Sequence, residues 1–212
     1  GLQEMPKVER IAHIPFSELT AAAQLMINSE IDICLALPPS LMKSIIEQAP
    51  HVITHSGRQE PYGYVDWWPS SMWFNTLEKP YDDPKVRWAM AYAINQDQVV
   101  QIGQQGAGKP TNVPFPEYPL LMKYIESLDD ILEKHDPMDY DLQKSEDLMK
   151  EAGFTKDDDG FWVDAEGNRP DADIYADANL FGDIAPIVAE QLRKGGFDSK
   201  HASPPDIWTK KG

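Results

Sequence analysis

Apolar and polar positions along the chain change period several times, and each change marks an element. Val8, Arg10, Ala12 and Ile14 alternate with Glu9, Ile11 and His13 as far as Pro15, which predicts a strand apolar on much of both faces. Leu19, Ala22, Ala23 and Met26 then share one helical face, so a helix over about 18–28 is expected, with Ser17 as its N-cap. Residues 31–37 are again apolar and predict a second strand. Strand, short helix, strand is a βαβ unit with parallel strands. Pro38-Pro39-Ser40 opens another short helix through Gln48, and His51 to His55 reads as a further strand.

Tyr62 to Thr76 is aromatic and β-prone, with a bend at Pro69-Ser70-Ser71. Asp83 followed by Pro84 is a helix start, and Val86, Ala89, Met90, Ala93 and Ile94 supply its apolar face. Asn95, with Gln98 three residues on, has the spacing of a capping box, so a second helix follows through about Ile102. The glycines and prolines of residues 103–119 predict a long irregular loop, a type of segment that is often functional. Leu120, Tyr124, Leu128 and Leu132 suggest an amphipathic helix. Asp141 caps another, which ends at Gly153-Phe154 in a Schellman turn. Phe161 to Val163 and Asn168 to Pro170, joined through Glu166-Gly167, read as a hairpin. A strand over 172–176, a helix over 184–194 and a strand over 197–202 form a second βαβ unit. The fold class is therefore α/β.

Charge narrows the function. The 19 Lys and Arg residues against 35 Asp and Glu leave a net charge of −16, which excludes a nucleic-acid binder held through phosphate contacts. No apolar stretch is long enough to form a membrane-spanning helix, and residues 1–5 lack the pattern of a signal peptide. Cys34 is the single cysteine and, within its apolar run, reads as a small buried hydrophobe. No nucleophile elbow, phosphate loop or zincin helix is present, and no cofactor is expected. His51 and His55 on a strand would lie about 13 Å apart, too far to share a metal. Asp157-Asp158-Asp159-Gly160 begins like a calcium loop, but Phe161 and Asn168 stand where ligands are needed, so an acidic turn is the better reading.

Several blocks resemble one family. Phe74-Asn75-Thr76, then residues 79–87, Lys-Pro-Tyr-Asp-Asp-Pro-Lys-Val-Arg, and then 89–95, Ala-Met-Ala-Tyr-Ala-Ile-Asn, are similar to the strand, loop and helix signature of the peptide/nickel-type extracellular solute-binding proteins that feed ABC transporters. Asn95 stands where an Asp is usual. Ser29 to Ile33, Tyr140-Asp141 and Ala152-Gly153-Phe154 resemble further blocks, in the family's order. The resemblance implies a periplasmic-binding-protein-like lobe, a mixed sheet with βαβ units flanked by helices. Residues 1–212 then form a single lobe of a two-lobed protein, with the first lobe missing. It implies as partners a small-molecule or peptide ligand and an ABC transporter permease, and a periplasmic or extracellular location with a membrane anchor in the parent. Peptide is the default ligand; oligosaccharides, opines and nickel complexes are taken by relatives. An aspartate that receives the peptide ammonium in relatives maps onto no residue here.

Tyr64, Trp67, Trp68 and Trp73 are the informative aromatics. Adjacent Trp67 and Trp68 point to opposite sides of an extended segment, so one is free to stack on a ligand while the other packs inward. With Asn75 they are the candidate ligand-binding residues, and the loop over 106–119 is a second candidate for the cleft rim. An α/β enzyme with acid and base carboxylates dispersed in sequence is the competing class.

Overall fold

The computed structural model describes residues 7–15, 18–35, 37–59, 62 and 69–207. Helix α1 (Leu19–Ile27) and α2 (Pro39–Gln48) form an antechamber of their own, burying Ala23, Ile45 and Ala49 between them. Ser17, the expected cap of α1, lies outside the described residues; Glu18 occupies the cap position without a side-chain bond. The C-terminus of α1 closes as a Schellman turn with Ser29 at φ +60°, its hydroxyl 2.9 Å from His51 Nε2. Arg58 completes the pair by donating to the carbonyl of Ile46 in the last turn of α2 and to those of Ala49 and Val52 that follow it.

The main core gathers around α3 (Pro84–Tyr92) and α7 (Leu142–Glu151). Asp83 caps α3 by accepting from the Lys85 amide at 2.8 Å, and Pro84 sits at the first position, where a missing N–H is harmless. Asp141 caps α7 in the same way through Lys144, and its own amide donates to the Tyr92 carbonyl, tying the start of α7 to the end of α3. Small residues let the two helices close in. Ser145, fully buried, donates to the Ala89 carbonyl at 2.7 Å. Gly153, at φ +90°, ends α7 in the expected Schellman pattern, with Phe154 N–H bonded to Met149 O and Gly153 N–H to Lys150 O.

Helix α4 (Gln96–Gly103) follows its Asn95 cap, and α5 (Met122–Glu126) and α6 (Asp129–Leu132) replace the one helix expected over 120–132. The Ser127 hydroxyl donates to the Tyr124 carbonyl at the break, and Ile125 is buried where Leu120 and Tyr124 stay exposed. The hairpin is also a correction. Strand β1 (Thr155–Lys156) pairs antiparallel with β2 (Trp162–Val163), so Phe161 to Val163 pairs backward across the acidic turn; residues 164–168 form only a turn, with Asp164 N–H on the Asn168 carbonyl.

Strand β3 (Ile174–Tyr175), α8 (Ala178–Phe181), α9 (Ala185–Lys194) and β4 (His201–Ala202) close the described chain, and β3 and β4 pair in parallel, as the second βαβ unit requires. The first βαβ unit does not form among the described residues. Residues 8–14 and 31–35 enter no ladder among the described residues, and Ile11 and Ile33 are about three-quarters exposed. A lone strand has nothing to satisfy its backbone or cover its side chains, so the alternation pattern alone does not make a sheet. Among the described residues, His51 to His55 likewise gives only a bridge between Thr54 and Gly57. Cys34 is half-buried rather than buried.

Candidate functional site

Residues 71–75 keep the alternation of an extended segment. Met72 and Phe74 pack on the main core, while Trp73 and Asn75 face away from it, the indole 73% exposed. That split follows from the two-residue period, which sends successive side chains to opposite faces. The segment is firmly seated. Asn75 Oδ1 accepts from the Leu77 amide at 3.2 Å, making the turn that carries the chain to Tyr81. The Tyr81 ring lies 5.3 Å from that of Phe74, and its hydroxyl donates to the Asp171 carbonyl at the entrance to β3. Burial, with Asp171 and Asp173 nearby, pushes the Tyr81 phenol up to about 12, so it stays a neutral donor. Arg87 on α3 donates to the Tyr81 and Asp82 carbonyls.

Of the five candidate ligand residues, Trp73 and Asn75 are therefore brought onto one outward face. Tyr64, Trp67 and Trp68 lie outside the described residues. Tyr81 was not among the candidates, although it falls in the same sequence block; its signal was an aromatic residue between a turn and a helix cap. Arg87 takes the anchoring role through backbone carbonyls.

The loop over 104–119 is a strap with an internal fastening. Lys109 pairs with Glu117 across it, and Val113 is buried beneath. The acidic turn at 157–160 is committed to structure. Asp157 accepts from the amides of Phe161 and Asp159, and Arg169 reaches Asp157, Asp159 and Asp198 together. Two of the three consecutive carboxylates, Asp157 and Asp159, are thus drawn into ion pairs with Arg169. The His51 ring is bonded to Ser29.

An aromatic and an amide presented on a fixed, extended segment are groups for stacking and hydrogen bonding; they carry no nucleophile or base. Residues 2–209 match the family described as bacterial extracellular solute-binding proteins, family 5 Middle. The chain belongs to that family. Among family 5 relatives, a glutathione-binding protein of Pectobacterium atrosepticum is 27% identical over 150 residues, 71% of this chain and 26% of the relative. A dipeptide-binding protein of Escherichia coli K12 is 36% identical over 91 residues, 43% of this chain and 15% of the relative. The chain thus spans about a quarter or less of the length of these curated relatives. A mannohexaose-bound periplasmic oligopeptide-binding protein of Thermotoga maritima superposes with a TM-score of 0.70 at 24% identity, over 87% of this chain and 34% of that one. An oligopeptide-binding protein of Bacillus subtilis, in complex with a nonapeptide, gives 0.65 at 21%, over 88% and 34%. These likenesses establish the fold, the α/β lobe of a family 5 binding protein.

Proposed function

We propose that residues 1–212 act as one lobe of a two-lobed extracellular receptor that captures a solute and hands it to the permease of an ABC importer. Peptide is the ligand class we assign. Membership of a family of solute-binding proteins supports the receptor role, and the dipeptide- and glutathione-binding relatives support the ligand class. The observation that carries the site is the outward pair Trp73 and Asn75, on a segment whose other face is anchored by Met72, Phe74 and Tyr81. A rigid aromatic loses little entropy on binding. The remaining lobe supplies the opposite wall, and closure about a hinge buries the ligand between them. The receptor works outside the cytoplasmic membrane, anchored to it in the parent protein.

Calorimetric titration of the full-length receptor with glutathione and with an aromatic dipeptide tests this reading. Trp73→Ala should weaken binding about tenfold or more while leaving the melting temperature nearly unchanged, since an exposed side chain contributes little to stability. Undiminished affinity in Trp73→Ala would remove Trp73 from the site. Turnover of either ligand would transfer the chain to the enzyme class.

A further inference from the structure

Residues 8–14 and 31–35 lie on either side of α1 in sequence, and both stand open to solvent. Every residue from Lys7 to Pro15 is exposed. Ile11, Ile33 and Leu35 present 79%, 76% and 72% of their surfaces to water. Among the described residues, no backbone hydrogen bond joins either segment to another part of the chain. In an extended chain Val8 and Ile14 fall on one side of the first segment and Ile11 on the other, while Ile33 and Leu35 share one side of the second. Water can satisfy the open backbone, but it leaves large aliphatic groups unburied along two strand-like edges. The second segment is also anchored at both ends, because Ile27 before it and Leu37 after it pack on the α1–α2 cluster.

We propose that residues 8–14 and 31–35 are a docking surface for the part of the parent receptor outside residues 1–212, which lays a strand beside them and an apolar layer over them. The proposal rests on the reading of this chain as a portion of a longer receptor. The family match runs over residues 2–209 and includes both segments, and the chain spans about a third or less of the relatives' length, so enough further polypeptide exists to cover them. Because that polypeptide is covalently attached, it acts at a high effective concentration and is favoured over a second copy of the chain. Apolar groups on both sides of residues 8–14 match a strand in a sheet covered on both faces. Edge pairing supplies the missing main-chain bonds, and burial of Val8, Ile11, Ile33 and Leu35 adds the driving force.

The test is amide hydrogen exchange, followed by mass spectrometry without ligand, on the full-length receptor and on the 212-residue chain. In the full-length receptor, amides of 8–14 and 31–35 should exchange about a hundredfold or more slowly than in the 212-residue chain, where they should exchange nearly as fast as in a free peptide. Ile11→Asp and Ile33→Asp should each lower the melting temperature of the full-length receptor and leave that of the 212-residue chain in place, since both side chains are exposed there. Because no ligand is present, slow exchange would support the docking surface even in a receptor that binds no peptide. Fast exchange of both segments in the full-length receptor would overturn the proposal while leaving peptide binding a separate question. Protection already present in the 212-residue chain would also overturn it, and protection that grows with chain concentration would assign the surface to a second copy instead.

Discussion

Gln191, buried on α9, accepts a hydrogen bond from the backbone N–H of Asn95 at 2.9 Å, ninety-six residues away in sequence. Its amide nitrogen returns to the Asn95 carbonyl and to Gln98 Oε1. Asn95 caps α4 through the Gln98 amide, but Gln98 does not complete the reciprocal box; Gln191 takes that place from a distant helix. Gln191→Met keeps the volume and removes every partner. The partly buried Asn95 N–H is then left unsatisfied, and urea unfolding should show a loss of about 1–3 kcal/mol. An unchanged midpoint would mean that water replaces the amide without cost.

Acid should weaken the region around Arg169 first. The amides of Phe161 and then Arg169 hold the Asp157 carboxyl below the ordinary carboxylate range, and Arg169 is the chief cause of the same depression at Asp198. Folded pKa values below the unfolded ones mean stability that is complete above the unfolded range and lost as pH falls through the folded values. Unfolding free energy should therefore decline from about pH 5 downward. Arg169→Met should flatten that decline, more through Asp198 than through Asp157, which keeps its backbone donors. An identical acid slope in the variant would contradict the assignment.

At the start of α3 the two sequence signals carry different loads. Asp83→Ala removes one capping bond and should cost about 1 kcal/mol. Arg87→Met frees two loop carbonyls and should loosen the turn that seats residues 71–75, lowering the melting temperature of the full-length receptor more than its ligand affinity. Intact melting with abolished binding would make Arg87 a ligand contact.

Gly196 is at φ +91°, and a Cβ there would sit 2.9 Å from Trp162 Nε1. That indole, fully buried, donates to the Gly195 carbonyl, and the Trp162 amide donates to the Gly196 carbonyl, fastening β2 to the end of α9. Gly196→Ala combines backbone strain with a clash and should destabilise by roughly 2 kcal/mol or more in thermal unfolding. A neutral effect would show that Trp162 shifts freely in its pocket.

Helix ends were the most readable part of the sequence because their signals are local. Asp83, Asp141 and Gly153 each do what their neighbours in sequence imply, and Asn95 caps its helix although the reciprocal half of its box comes from Gln191. Strand pairing depends on a partner elsewhere, and there the reading failed. Residues 8–14 have the alternation of a strand and no partner among the described residues, whereas 172–176 found β4 across α9. Phe161 to Val163 was correctly extended, but its partner lay before the acidic turn, where Asp157 folds the chain back by accepting two amides. Trp73 and Asn75 were legible as an outward face from periodicity. The fixing of that face by Tyr81 on Asp171, ninety residues on, had no local signal.

The apolar interior is divided very unequally. Among the described residues, one cluster of three buried side chains joins α1 and α2, against a cluster of ten around α3, α7 and α9. Opening free energy follows the buried contacts that must be broken, so amide protons of α1 and α2 should exchange with deuterium through a partial opening that leaves α3 and α7 protected. Such a chain has two thresholds toward heat or urea. A single melting temperature read from the α3–α7 half would then overstate how long α1 and α2 stay folded.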